Sequence, residues 1–339
     1  LPSWNEALYL DNVGYSQNRI SDAMTFAATV TPLKGWDIIG EMKVRFDVQN
    51  DEFLQKQPRT TRPDGTIENV TAPRQGYSYP GIEYSNSLWG SMTRGNQFNY
   101  YLSPSVSSSY TNQWGDHFFK AMAGFQMEVQ QNSSMYAYKD GVMSDDTFSF
   151  DNANGKAYNS EARDHWATMG FYTRLNWNYQ NVYFLEFSGR YDGSSRFASG
   201  NRWGFFPSAS VGWNIAREKF FLPVSKVVNT FKVRASYGSL GNQNTSSLYP
   251  TYSTIGTGTG SWIIDGTLAN IAWAPSLVSY NLSWEKIRTW NAGVDFGLFN
   301  NRLTGSFDYY IRKTDDMVGP SEKLPVVLGT AVPSSNNTN

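Results

Sequence analysis

The stretch that most constrains this chain runs from Asn181 to Phe221, where side-chain character alternates with a period of two. Tyr183, Leu185, Phe187, Gly189 and Tyr191 fall on one side, and Phe184, Glu186, Ser188, Arg190 and Asp192 on the other. That is a strand with one apolar and one mostly polar face. After a loop rich in Gly, Ser and Arg the pattern returns, with Pro207, Ala209, Val211, Trp213 and Ile215 set against Ser208, Ser210, Gly212 and Asn214. The second run reads as the return strand of an antiparallel pair.

What the apolar faces pack against is a question for composition. Aromatic residues make up 16% of the 339 residues and charged residues only 17%, against the roughly 25% charge of soluble domains. Rings are therefore expected on a surface. A net charge of -1 gives no nucleic-acid partner, because phosphate binding needs clustered Lys and Arg. The mean hydropathy is -0.49 and no apolar run approaches the ~18 residues of a membrane helix, which excludes helical spans but not barrel strands of about 9–11 alternating residues. Cysteine is absent, so there is neither a disulfide framework nor a thiolate metal site.

Alternation continues through most of the chain. Met24 to Val30 and Trp36 to Val48 pair across the turn at Gly35, Phe98 to Tyr110 pairs with Phe119 to Val129, and Met169 to Tyr179 pairs with the organising strand. The strand through Ala209 and Trp213 pairs with Phe231 to Tyr237, and Trp290 to Leu298 turns at Asn300-Asn301 into Leu303 to Ile311. Long polar segments separate them at about 50–96, 132–164 and 240–283, and the tail after Lys313 carries no strand pattern. About ten strands in five hairpins, with short turns alternating with long loops, predict an all-β antiparallel transmembrane barrel. Rings at Trp36, Trp177, Tyr179, Tyr183, Trp213, Trp290, Tyr309 and Tyr310 suit the aromatic belts of such a barrel. On pattern alone, aromatics filling the core of a β-sandwich stay open as the alternative.

Catalytic chemistry is poorly supplied. His117 and His165 start two strands with no nucleophile or ligand spacing around them, so no enzyme activity is expected. Gly256 to Gly260 is followed by no helix pattern and reads as a flexible loop rather than a phosphate cradle. Asp140, Asp145, Asp146 and Asp151 match no calcium-ligand spacing. No cofactor or metal is expected. Glu41, Lys43, Arg45, Lys120, Glu128, Glu186, Arg190, Lys232 and Arg234 recur on the polar faces as paired charges of a wet interior wall would. The loop aromatics Tyr77, Tyr79, Tyr249, Tyr252, Trp262 and Trp273 could stack on sugar rings or pack among themselves.

The wording of the chain adds to its pattern. Arg190-Tyr191-Asp192-Gly193-Ser194-Ser195-Arg196-Phe197, Arg202-Trp203-Gly204-Phe205-Phe206-Pro207-Ser208 and Glu218-Lys219-Phe220-Phe221 closely resemble the SusC/RagA family of TonB-dependent outer-membrane transporters of Bacteroidetes. The resemblance continues through Lys232-Val233-Arg234-Ala235-Ser236-Tyr237-Gly238, Trp284-Glu285-Lys286, Tyr309-Tyr310-Ile311-Arg312-Lys313 and Leu324-Pro325-Val326-Val327-Leu328-Gly329, and covers most of the chain from roughly Ala167 onward. It implies a 22-stranded plugged barrel, of which this sequence is expected to be an internal piece without the plug domain, TonB box and closing strands.

It further implies active import of a large nutrient, an oligosaccharide or else an oligopeptide, across the bacterial outer membrane. A SusD-like lipoprotein would act as the lid, TonB would supply the energy, and two transporter–lipoprotein pairs could associate. The competing readings are a structural or adhesive outer-membrane barrel, an outer-membrane enzyme, and a soluble carbohydrate-binding sandwich.

Overall fold

The computed structural model describes residues 12–57, 59–69, 90–144, 146–245, 247–320, 325 and 332–338. Its strands are β1 (Val13–Leu33), β2 (Trp36–Gln55), β3 (Arg59–Thr61), β4 (Ile67–Asn69), β5 (Gly90–Trp114), β6 (His117–Val142), β7 (Ala157–Tyr179) and β8 (Tyr183–Ser194). They continue with β9 (Trp203–Asn214), β10 (Val228–Asn242), β11 (Thr257–Ile264), β12 (Thr267–Ala272), β13 (Glu285–Leu298), β14 (Leu303–Asp315), β15 (Met317–Pro320) and β16 (Ser334–Thr338). Ten of them form one sheet in the order β1-β2-β5-β6-β7-β8-β9-β10-β13-β14, an up-and-down meander in which chain neighbours are sheet neighbours. The ten strands expected from alternation are these ten.

Turn chemistry explains the hairpins. Gly35 (φ 82°) and Gly115 (φ 57°) take the left-handed backbone that a tight turn requires, and Gln180 and Asn181, both at φ 54°, do the same between β7 and β8. The β13–β14 connection is wider than the Asn300-Asn301 pair alone. Leu298 pairs with Leu303, and Phe299, Asn300 and Asn301 are all left-handed, closed by Arg302 N–H to Phe299 O.

Other boundaries also move. β2, β5, β6 and β7 run into the segments that look like loops at 50–96 and 132–164, because polar residues such as Asn50, Asn96 and Asn132 belong to long strands rather than to turns. β5 and β6 have 25 and 26 residues, well beyond the roughly 9–11 that cross a bilayer. The Gly256–Gly260 run is not a flexible loop. Most of it lies in β11, which pairs with β12 across the left-handed Asp265-Gly266 turn. The tail forms its own hairpin, β15 with β16. Asn336 holds it, its amide bonding Ser283 N–H, Ser283 O and Asp316 O.

The described chain gathers into two compact units, residues 1–25, 43–102 and 130–165, and residues 26–42, 103–129 and 166–339. In the second unit the faces separate cleanly. Phe26, Val30, Val106, Phe171, Leu175, Phe187, Phe205, Val211, Val233, Phe307 and Ile311 are all exposed. Register carries this apolar face across strands, with Leu185 opposite Val211, Val211 opposite Ala235, Ala235 opposite Ala292 and Ala292 opposite Tyr309. Among the described residues of this unit, apolar burial is limited to Val182 and the small cluster of Phe197, Phe206, Leu282 and Trp284. A sheet that wears its hydrophobic side outward needs lipid against it.

Aromatic rows bound that face. At the short-turn end Trp177, Tyr179, Tyr183 and Trp213 follow one another at 6.4–6.5 Å between rings. At the other end Tyr191 stacks on Trp203 at 4.9 Å. Trp203 and Trp213 bracket β9, so at ~3.4 Å per residue and a ~45° tilt the rows stand about 24 Å apart across the layer, the height of a barrel's apolar band. Trp290, Tyr309 and Tyr310 lie mid-strand, and Tyr310 takes the polar side, since it pairs with Asn291.

Phe187→Arg, at the middle of the band, should destabilise the full-length protein folded in vesicles by about 2–4 kcal/mol, whereas Ser210→Lys on the opposite face should change stability by less than about 1 kcal/mol. Chemical unfolding in lipid reads both. Glu218 offers a pH test. Hydrogen bonds from Tyr183 Oη (2.5 Å) and Trp213 Nε1 (3.0 Å) hold its carboxyl below the usual range. The anchoring is therefore present above the carboxyl's unfolded pKa and is lost as pH falls through the lower folded value. Tryptophan emission should follow that loss on acidification, and Glu218→Gln should blunt it.

Candidate functional site

The candidate site is the polar face and the loops at its rim. On the second unit's polar face, residues brought side by side by register compensate one another. Arg234 on β10 reaches over Gly293 of β13 to Asp308 of β14 (2.6 Å), and also pairs with Asp295 (3.2 Å). Two acids from different strands thus share one guanidinium, whose planar fork suits such bridging. Gly293 is required because a Cβ there would lie 2.7 Å from Asp308 Oδ1 and 2.8 Å from Arg234 Cζ.

Arg190 pairs with Asp192 (3.0 Å) and lies 5.5 Å over the ring of Tyr172. Gly170 makes room for that pair, since a Cβ there would collide with the Asp192 carboxylate. Glu186 faces Arg174 at 3.7 Å, and the Lys232 ammonium sits 4.4 Å from the Phe184 ring. Glu186, Arg190, Lys232 and Arg234, four of the nine wall charges read from the sequence, thus each meet a partner on this face. Asp192 already falls on the polar face in the sequence pattern; Asp295, Asp308 and Arg174 are not singled out by sequence, although strand parity puts them on this face.

The first unit has a comparable wall. Asp47 is buried and binds Ser21 (2.5 Å), Arg45 (3.1 Å) and Arg19 (3.6 Å). Asp51, also buried, accepts from Gln17, Gln49 and Gln97.

A recess of about 180 Å³ lies among Gln126, Glu128, Arg190, Asp192, Gln243 and Trp284. It is smaller than the ~300–1,000 Å³ of ligand sites, and so is relief on the wall. Phe197, Phe206, Leu282 and Trp284 close together beside it, with Trp284 Nε1 donating to Arg202 O (2.8 Å) and Arg202 Nε to Phe197 O (3.0 Å). That latch occupies the RFASGNRWGFF and WEK stretches.

The loop aromatics are only partly brought together. Tyr249 and Tyr252 make an edge contact at 5.9 Å, with the Tyr249 hydroxyl 3.4 Å from Ser195 Oγ and Tyr252 exposed. Trp273 lies over the glycine run, donating its backbone N–H to Gly256 O (2.9 Å), with its indole 2.5 Å from where a Gly258 Cβ would stand. Trp262 projects from β11, and both indoles keep more than half of their surface open. Tyr77 and Tyr79 lie outside the described residues.

His117 Nδ1 accepts from Trp177 Nε1 (3.2 Å) and its ring meets Tyr179 at 4.6 Å, a place in the aromatic row. Asp140 is buried while Asp146 and Asp151 face solvent, and Asp145 lies outside the described residues. Among the described residues no three His, Asp or Glu gather as metal ligands.

The family model described as TonB dependent receptor-like, beta-barrel matches residues 4–339. The TonB-dependent receptor SusC of Bacteroides thetaiotaomicron is 32% identical over 301 residues, which is 86% of this chain and 28% of that protein. The TonB-dependent receptor P3 of Formosa agariphila is 31% identical over 229 residues, 66% of this chain and 22% of the relative. A solved structure of the RagAB peptide transporter superposes with a TM-score of 0.80 at 21% identity, covering 96% of this chain and 33% of that one. The chain thus spans less than a third of the curated relatives it matches.

Replacing Gly293 by Ala should destabilise the folded protein by about 1–3 kcal/mol, because the added methyl must displace the ion cluster. The same substitution beside Arg234→Ala should cost at least 0.5 kcal/mol less, a coupling that a double-mutant cycle of unfolding free energies would measure.

Proposed function

We propose, because this chain belongs to the TonB dependent receptor-like β-barrel family of the bacterial outer membrane, that the complete protein actively imports a large nutrient across that membrane. The observation that carries this reading is the family match, which runs through residues 4–339 rather than resting on one motif. In it this chain supplies wall and loops to a 22-stranded barrel, while a plug and a TonB contact belong to the rest of the protein. A SusD-like lipoprotein would close over the loops, and two such pairs could associate. No covalent step is involved.

The cargo we favour is an oligosaccharide. Arg234, Arg190 and Glu186 each face an opposite charge within 4 Å, so this stretch of wall presents hydrogen-bonding groups without a strong field of one sign. A neutral polar solute suits such a surface better than an ion does. Tyr252, Trp262 and Trp273 offer exposed ring faces at the rim, onto which sugar C–H faces can stack. An oligopeptide is the second reading, favoured by the fold likeness to a peptide transporter.

With the full-length protein and its lipoprotein partner, Trp262→Ala or Trp273→Ala should weaken oligosaccharide binding by about 1–3 kcal/mol in titration calorimetry. Unchanged affinity in both variants would discard the rim as a sugar site. Uptake by the native host should stop when the proton gradient is collapsed. Uptake that persists would favour a passive or purely structural barrel.

A further inference from the structure

Among the short-turn connections, the one between β9 and β10 is out of proportion. The turns at Gly35, Gly115 and Asn181 are tight, whereas Ile215 to Val227 winds through two short 3-10 turns and a run of further turns before β10 begins. It folds to the apolar side of the sheet. Phe220 packs 6.4 Å from Trp213 and Phe221 stacks on Phe231 at 5.9 Å, both partners being residues of the apolar face. Glu218 is tied to the aromatic row through Tyr183 and Trp213.

The exposed side of this segment is amphipathic. Phe220, Leu222, Val224 and Val227 are 65%, 60%, 48% and 47% exposed, and Arg217, Lys219 and Lys226 are exposed among them. The segment is also fixed in place. Phe299 N–H donates to Val227 O (2.8 Å), and Asn300 N–H donates to Asn229 Oδ1 (2.5 Å), which locks it to the neighbouring β13–β14 turn.

We infer that Ile215–Val227 is an interfacial foot that seats on the phospholipid surface at the short-turn end, its apolar side chains in the acyl boundary and Arg217, Lys219 and Lys226 on anionic headgroups. A bilayer is the occupant because the segment continues the aromatic row that already borders the lipid-facing band. Its charges add to that. Three cations lie beside one carboxylate that is already engaged by two donors, which is the pattern of a membrane-surface segment. The inference rests on the strands spanning the outer membrane with their short turns toward the periplasm.

The test uses the full-length receptor in vesicles of phosphatidylcholine with phosphatidylglycerol, carrying nitroxides at Leu222→Cys or Val224→Cys. Phe187→Cys marks the acyl band and Lys34→Cys an aqueous turn. We expect the 222 and 224 probes to collide with oxygen rather than with an aqueous nickel complex, as the 187 probe does. Changing Arg217, Lys219 and Lys226 together to Gln should lower the preference for spin-labelled phosphatidylglycerol over phosphatidylcholine by roughly threefold or more. Nickel access at 222 and 224 equal to that at 34, with 187 still in the acyl region, would overturn the foot and leave the barrel standing. Protection from both reagents would mean that protein covers the segment, and would also overturn it. Nickel access at 187 would instead overturn the barrel reading itself.

Discussion

Everything in this structure follows from the need to satisfy the backbone while one face of the sheet stands in hydrocarbon. No water is available there to bond a stray N–H or C=O, so each strand must be saturated by its neighbours. The continuous ladders through β7, β8, β9, β10, β13 and β14 meet that need. The outward side chains are then free to be large and apolar, and the opposite side chains polar. Stability comes from the ladder and from the lipid contact, and not from an interior core. This is why the buried apolar clusters are small and sit at the strand ends away from the tight turns and in the segments beyond them.

A wall that faces water on its other side carries charges, and each must be compensated within the reach of one side chain. Arg234 with Asp295 and Asp308 does so across three strands, and Arg190 with Asp192 does so along one. The glycines beneath them let the long side chains lie flat against the sheet, so the same residues that neutralise the wall also keep it smooth. Position and charge are solved together, and the glycine is as much a part of each cluster as the ions are.

The alternation of Tyr183 to Asp192 was enough to assign strand, face and partner, because a period of two leaves a single choice once one side must be apolar. What the alternation could not show was where strands end. Asn50, Asn96 and Asn132 look like loop residues because a strand that rises beyond the bilayer no longer needs an apolar side, so its pattern fades while its hydrogen bonds continue. The glycine run at 256–260 reads as a loop for another reason. Its residues are small to admit the indole of Trp273, a partner distant enough in sequence that composition alone suggested slackness. Likewise the Arg234 cluster depends on register across three strands, and its acids stand out only once the pairing is known.

The Arg234 bridge also bears on how such a wall can diversify. β10 and β13 are adjacent in the sheet, yet the chain between them leaves for the long excursion 243–284 before returning. Their alignment is fixed by the ladder and by a clamp on the wall, and lengthening a loop costs only about 0.6 kcal/mol for each doubling. The two anchor points would therefore accept hairpins and ring sets of different length and make while the supporting strands stay unaltered, so this part of the rim is free to change faster than the scaffold that carries it.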